Sequence, residues 1–128
     1  MKTKRVRDFM AKHYTTVSPE QSLATAVRTL LEYHQSAAPV VNAKQELVGL
    51  LSEADCMRTT LLEDYFNEGV ALVKDQMTAA TETVSPDEEL SSVSEMFLKH
   101  CRRMMPVVEA GVLVGIVSRK DILKALIN

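Results

Sequence analysis

One set of short motifs occurs twice in this chain, in the same order and at almost the same spacing, and that duplication limits the possible fold more than any other feature. Val6-x-Asp8-x-Met10 returns as Val73-x-Asp75-x-Met77, and Thr16-Val17-Ser18-Pro19 as Thr83-Val84-Ser85-Pro86. Leu23 returns as Leu90, and Pro39-Val40-Val41 as Pro106-Val107-Val108, each 67 positions on. Leu47-Val48-Gly49 then returns as Leu113-Val114-Gly115, and Ser52-x-x-Asp55 as Ser118-x-x-Asp121, only 66 positions on. The lost residue falls between Asn42-Ala43-Lys44-Gln45-Glu46 and Glu109-Ala110-Gly111-Val112, which read as turns, where length changes are tolerated. The chain therefore divides into a first repeat over 1–66 and a second over 67–128.

Within each repeat the residue order predicts β-α-β-β-α. Ser18-Pro19-Glu20-Gln21 and Ser85-Pro86-Asp87-Glu88 read as helix starts, with Ser as N-cap, Pro in the first turn and Gln or Glu closing a capping box. The acids Asp87-Glu88-Glu89 then complement the helix dipole. Apolar stripes follow at Leu23, Ala26, Val27, Leu30 and Leu31, and at Leu90, Val93, Met96, Phe97 and Cys101. Two apolar runs come next in each repeat: Ala38–Val41 with Leu47–Leu51, and Met105–Val108 with Val112–Val117. Turn residues separate them, so each pair reads as a hairpin, with a Pro tolerable at the strand start. A second helix begins at Ser52 and at Ser118. The first is the longer, with Met57, Leu61, Tyr65 and Phe66 as apolar positions and a stop near Asn67-Glu68-Gly69. The fold class is α/β (α+β). A 60-residue half with one apolar sheet face is marginal alone, so the two halves are expected to pack on each other.

Composition closes off several function classes. Apolar residues make up 46% of the 128, without Trp, and seven Met contribute to an aliphatic core. A net charge of −2 and the lack of a basic tract argue against wrapping a nucleic-acid backbone. No stretch reaches the roughly 20 apolar residues of a membrane span, and no apolar segment follows the basic start, so the chain reads as cytoplasmic. Cys56 and Cys101 fit no metal or redox spacing and read as two reduced core thiols. His13, His34 and His100 stand apart from other metal-ligating types, and neither a Gly-rich phosphate loop nor a nucleophile–base pair is apparent. The expectation is a non-enzyme with no metal and no cofactor.

With these motifs in register twice over residues 6–126, the chain resembles a tandem pair of cystathionine-β-synthase (CBS) domains, a Bateman module. The resemblance implies two repeats related by a pseudo-two-fold, three-stranded sheets, and two clefts between the copies. It implies AMP, ADP, ATP or S-adenosylmethionine as ligand, a homodimer, and a regulatory module standing alone that signals to an unidentified partner protein. The alternative is a ligand-free dimerisation scaffold.

The resemblance also implies site residues. Asp55 and Asp121 would hold ribose, since one carboxylate can accept from both sugar hydroxyls. Ser52 and Ser118 would reach ribose or phosphate. The same Ser-x-x-Asp pattern is equally a capping box, and both readings stand at this point. Thr16 and Val17 with Ala37, Ala38, Pro39 and Val40 would line one base slot. Thr83 and Val84 with Met104, Met105, Pro106 and Val107 would line the other. Gly49 and Gly115 would serve where the sheet crowds the ligand or a helix, or else simple packing. Phosphate needs cations, and here the repeats differ. The second places His100, Arg102 and Arg103 before its strand and Arg119 and Lys120 within Ser-x-x-Asp, where the first has Gln35, Ser36, Glu53 and Ala54. The second repeat is thus the expected anion site, with Arg58 a further candidate.

Overall fold

The computed structural model describes residues 3–61, 71–79 and 81–128. Two compact units emerge, and they differ from the sequence repeats in one respect. Residues 15–81 form a contiguous unit, while 1–14 join 82–128 in a composite one. Each repeat's hydrophobic-x-Asp-x-Met lead-in packs with the body of the other repeat. Tyr65, Phe66, the Asn67-Glu68-Gly69 stop and the repeat boundary lie outside the described residues.

In the contiguous unit, helix α2 (Leu23–Tyr33) leads to strands β1 (Ala37–Val41) and β2 (Leu47–Ser52), then α3 (Glu53–Met57) and a 3₁₀ turn over Arg58–Leu61. Helix α4 (Val73–Gln76), from the second lead-in, completes it. The composite unit starts with α1 (Val6–Phe9) and continues with α5 (Leu90–Lys99), β3 (Met104–Glu109), β4 (Val112–Ser118) and α6 (Arg119–Ile127). Each hairpin is antiparallel, with a bulge at Val40/Val41 and at Val107/Val108. The third strand is reduced to a single parallel bridge, Val17 to Val40 and Val84 to Val107. On the opposite edge the lead-ins add Thr78 to Leu50 and Ala11 to Ile116.

The missing residue lies where the repeat offset placed it. Glu109 pairs with Val112 across Ala110 (φ 53°) and Gly111 (φ 81°), two left-handed residues as a type I′ hairpin requires. The other hairpin closes over a longer loop. There Asn42 Oδ1 accepts from Lys44 N–H at 2.9 Å and Glu46 N–H at 3.0 Å.

The helix starts differ from the sequence reading. Helix α2 is capped by Ser22, whose side chain accepts from Thr25 N–H, while α5 starts after Glu89, whose side chain makes no cap hydrogen bond. Ser18–Gln21 and Ser85–Glu88 are separate turns closed by Gln21 Oε1 and Glu88 Oε2 on the Ser N–H. The reason is tertiary. Pro19 and Gln21 carbonyls accept from Lys74 and Val73 N–H, and Leu23 N–H donates to Ala71 O. The composite unit repeats the scheme, with Pro86 and Glu88 accepting from Arg7 and Val6, and Leu90 donating to Lys4. The docked lead-in uses the groups a longer helix would have needed. Asp87–Glu89 consequently precede the helix, and Asp87 pairs with Arg7 instead.

The apolar stripes are borne out on their inner positions only. Leu23, Ala26, Leu30, Val93 and Phe97 are buried, whereas Leu31 is 70% exposed and Cys101 is at the surface. Cys101 is thus no core thiol; it takes φ 52° at the end of α5. Met57 and Leu61 are also largely exposed. Their helix breaks into a 3₁₀ turn where the buried Thr59 hydroxyl donates to Cys56 O at 2.6 Å. The two cores use equivalent positions: Val17, Leu30, Ala38, Val40, Leu51 and Val73 in one, and Val84, Phe97, Met105, Val107, Val117 and Val6 in the other. Each fully buried Val or Leu contributes about 1.5–3 kcal/mol.

The glycines of Leu-Val-Gly receive the lead-in methionines. A Cβ on Gly49 would lie 2.7 Å from Met77 Sδ and 3.0 Å from Thr78 O; one on Gly115 would lie 2.7 Å from Met10 Sδ and 3.1 Å from Ala11 O. Both glycines are crowded, and what crowds them is the docked lead-in, a methionine side chain and a bridging carbonyl.

Candidate functional site

Each second strand runs out into a helix at Ser-x-x-Asp, and both capping boxes are formed. Ser52 N–H donates to Asp55 Oδ2 at 2.9 Å, and Asp55 N–H to Ser52 Oγ at 3.1 Å. Ser118 N–H donates to Asp121 Oδ2 at 2.8 Å, with the reciprocal bond at 3.4 Å. The motif fixes where strand becomes helix, as elementary helix capping demands.

The two carboxylates then part company. Asp55 is 4% exposed, and its Oδ1 takes Arg58 and, at 3.4 Å, the Thr78 hydroxyl. Both oxygens of Asp55 are committed. Asp121 is only partly buried, and the Ser118 N–H and hydroxyl both go to its Oδ2. Among the described residues Oδ1 accepts no hydrogen bond. Asp121 lines an open groove of ≈ 560 Å³ with Lys4, Asp8, Phe9 and Lys124. Lys4 Nζ donates to Ala125 O at 2.6 Å there, on the last turn of α6.

The strand residues expected to line base slots are deep. Ala38, Val40 and Val107 have no exposed surface, Met105 has 1%, and Pro39 and Pro106 are fully buried. The Pro39 and Pro106 carbonyls accept from Val17 and Val84 N–H, both at 3.0 Å. Thr16 is partly exposed and Thr83 exposed beside these bridges.

Two basic residues of the second repeat, His100 and Arg102, meet on a carboxylate that the sequence motifs did not single out. Glu82, just before Thr83, lies 2.9 Å from His100 Nδ1 and 3.1 Å from Arg102 Nε. Its hydrogen bond with His100, helped by Arg102, holds its pKa below the ordinary carboxylate range. Arg119 Nε donates to Arg102 O at 2.9 Å, tying the first turn of α6 to the same loop. Arg103 and Lys120 are exposed. The aligned place in the contiguous unit holds a neutral tie. Gln35 accepts from Thr15 N–H at 2.8 Å and donates to Thr15 O at 3.2 Å and Ala37 O at 3.1 Å. Both arrangements depend on a left-handed helix end, with Gln35 N–H returning to Leu30 O and Arg102 N–H to Phe97 O. The signal for Glu82 was present in the sequence as a charged residue where the first repeat has Thr15. Thr78 and Lys4 had none, because only tertiary packing brings them to the two aspartates, whereas Lys124 lies one helical turn after Asp121 on α6.

No helix among the described residues is long and apolar enough to cross a membrane.

Comparison with known proteins matches the CBS domain model twice, over residues 6–61 and 72–128. An uncharacterized Methanocaldococcus jannaschii protein, MJ1225, is 31% identical over 94% of this chain and 42% of its own length. Inosine-5'-monophosphate dehydrogenase of Korarchaeum cryptofilum is 35% identical over 93% of this chain and 24% of its own. The chain thus spans less than half of these curated relatives. Among solved structures, the Arabidopsis thaliana CBS-pair protein CBSX2, in a complex with AMP, superposes with a TM-score of 0.86 at 28% identity and covers 96% of each chain. Two family matches, on a chain whose two bodies share one hairpin, one bridge pattern and one capping box, make the conclusion plain: this chain belongs to the CBS domain family and carries a pair of such domains.

Proposed function

We propose that this CBS pair binds an adenosine-containing nucleotide and reports its occupancy to a partner protein, acting as a regulatory module and not as an enzyme. The observation that carries the reading is Asp121. One oxygen is fixed by the capping box, the other is uncommitted among the described residues, and the side chain lines a groove shared with Lys4, Lys124 and Asp8. An oriented carboxylate with a spare acceptor suits a ribose hydroxyl, with charge-assisted bonds of about 1.5–3 kcal/mol. The AMP complex of CBSX2 supports the ligand class. Ser118, Thr83, Met105, Pro106, Val107, Arg103 and Arg119 are the proposed neighbours in the composite unit, although none of them lines that groove itself. Ser52, Asp55, Thr16, Ala38, Pro39 and Val40 are their counterparts. The composite unit is the stronger site, because Asp55 must release Arg58 and Thr78 before it can accept a sugar.

A thermal-shift panel of adenosine, AMP, ADP, ATP and S-adenosylmethionine tests this. A ligand at 100 times its Kd adds about 2.7 kcal/mol to the unfolding free energy. Asp121→Asn, which keeps an oxygen for the cap, should abolish most of that gain, and Asp55→Asn much less. A flat panel on the unaltered chain would leave the scaffold reading. The exposed Leu98, Leu123, Leu126 and Ile127 on α5 and α6 favour that second reading, as apolar surface for a homodimer.

A further inference from the structure

The tie between the residue before the bridging Thr-Val and the loop after the first long helix is made twice, once without charge and once with it. In the contiguous unit one amide, Gln35, closes it on the Thr15 backbone. In the composite unit Glu82 closes it on His100 and Arg102. Because a neutral amide serves the same fold position, the tie itself does not require charge. Its charged groups are also 30–45% exposed, where ion pairs add little to stability. They are nevertheless anchored. Thr83 follows Glu82 directly, and Arg102 is linked through its carbonyl to Arg119 in the first turn of α6, two residues before Asp121.

We propose that Glu82 is a specificity-determining residue: a built-in anion that already occupies His100 and Arg102 and so selects adenosyl ligands with little phosphate charge. The proposal rests on the nucleotide reading above and narrows its ligand class. A carboxylate and a phosphate compete for the same donors. A di- or triphosphate entering beside Thr83 and Arg119 must either displace Glu82 from its two partners or endure its charge. Adenosine or a cationic adenosyl compound meets no such conflict. The contiguous unit, with Thr15 and Gln35, exerts no such selection.

The test is the ratio of ATP affinity to adenosine affinity, by calorimetry at low and at physiological salt. Inorganic tripolyphosphate serves as a probe without a nucleoside. Glu82→Gln removes one negative charge from the cluster and should raise the ratio about five- to tenfold, most at low salt. The double variant Glu82→Thr with Arg102→Gln rebuilds the neutral tie of the other unit and guards against a loop that merely loosens. It should bring the ratio back towards the unaltered value, since anion and cation leave together. An unchanged ratio in Glu82→Gln, or equal shifts for adenosine and ATP, would overturn the proposal. If no adenosine compound binds any variant while tripolyphosphate binds Glu82→Gln better than the unaltered chain, the nucleotide reading fails and the built-in anion stands. If tripolyphosphate binds both alike in that case, both fail.

Discussion

The contiguous and composite units solve the same packing problem with different polar chemistry. Their cores fill equivalent positions, Leu30 and Ala38 in one and Phe97 and Met105 in the other. Their hairpins carry the same bulge, and their lead-in helices dock through the same set of carbonyls. The differences lie at the helix mouths. Asp55 is buried and bonded through both oxygens, while Asp121 is partly exposed and holds the cap with one. Gln35 makes a neutral tie where Glu82, His100 and Arg102 make a charged one. The backbone scheme tolerates no variation because buried N–H and C=O groups must all find partners. The side chains at the mouth vary because solvent can satisfy them, and that freedom lets one duplicated unit specialise.

The comparison can be broken first at the aspartates. Asp55→Ala should cost about 2–3 kcal/mol in urea unfolding, since Ser52 N–H and the Thr78 hydroxyl lose a buried acceptor. Arg58 adds little, being mostly exposed. Asp121→Ala should cost about 1 kcal/mol, the ordinary value of a lost cap. Equal costs would show that the two carboxylates do the same work.

A second test probes where the units should agree. Gly49→Ala and Gly115→Ala each place a methyl against a methionine sulfur and a bridging carbonyl. Each should destabilise by about 1–3 kcal/mol, the usual range for overpacking, and by the same amount within error. A clear inequality in unfolding midpoints would mean that one lead-in docks more loosely.

The smallest effect concerns pH. Glu82 is more acidic in the folded chain than in an ordinary setting, chiefly through His100. A carboxylate lowered in this way stabilises the fold above its unfolded pKa and loses that contribution as pH falls through the folded value. The midpoint difference between the unaltered chain and Glu82→Gln should therefore shrink as pH falls through the folded pKa of Glu82 and vanish at strongly acid pH. The deficit of Gln35→Ala, about 1 kcal/mol for a neutral tie, should not titrate. A Glu82→Gln deficit that persists undiminished at acid pH would show a role in packing instead of charge.

Much of this fold was legible from spacing. The 67-residue offset aligned Val17 with Val84 and Leu30 with Phe97, and its slip to 66 located the hairpin turn. Ser52-x-x-Asp55 and Ser118-x-x-Asp121 announced their capping boxes because both partners lie within one helical turn. The reading went astray where a local signal competed with a distant one. Ser18 and Ser85 have the sequence of N-caps, yet the helices start only after Ser22 and Glu89, because α4 and α1 take the carbonyls in between. Leu31 and Cys101 fit the helical stripe but face outward, since periodicity fixes a face only to within about one residue. At the candidate site the two aspartates were legible and their inequality was not.

By itself the sequence determined the duplicated element order, the apolar faces and the two caps, all of which depend on residues close along the chain. Only the tertiary structure decided that each lead-in serves the other repeat's body, that Thr78 reaches Asp55, and that Glu82 holds His100 and Arg102. The physical reason is range. Backbone dihedrals, capping and periodicity act over a few residues. A buried N–H, a glycine cradle and an ion pair are satisfied by whatever the fold brings within about 3 Å, however far away it lies in the chain.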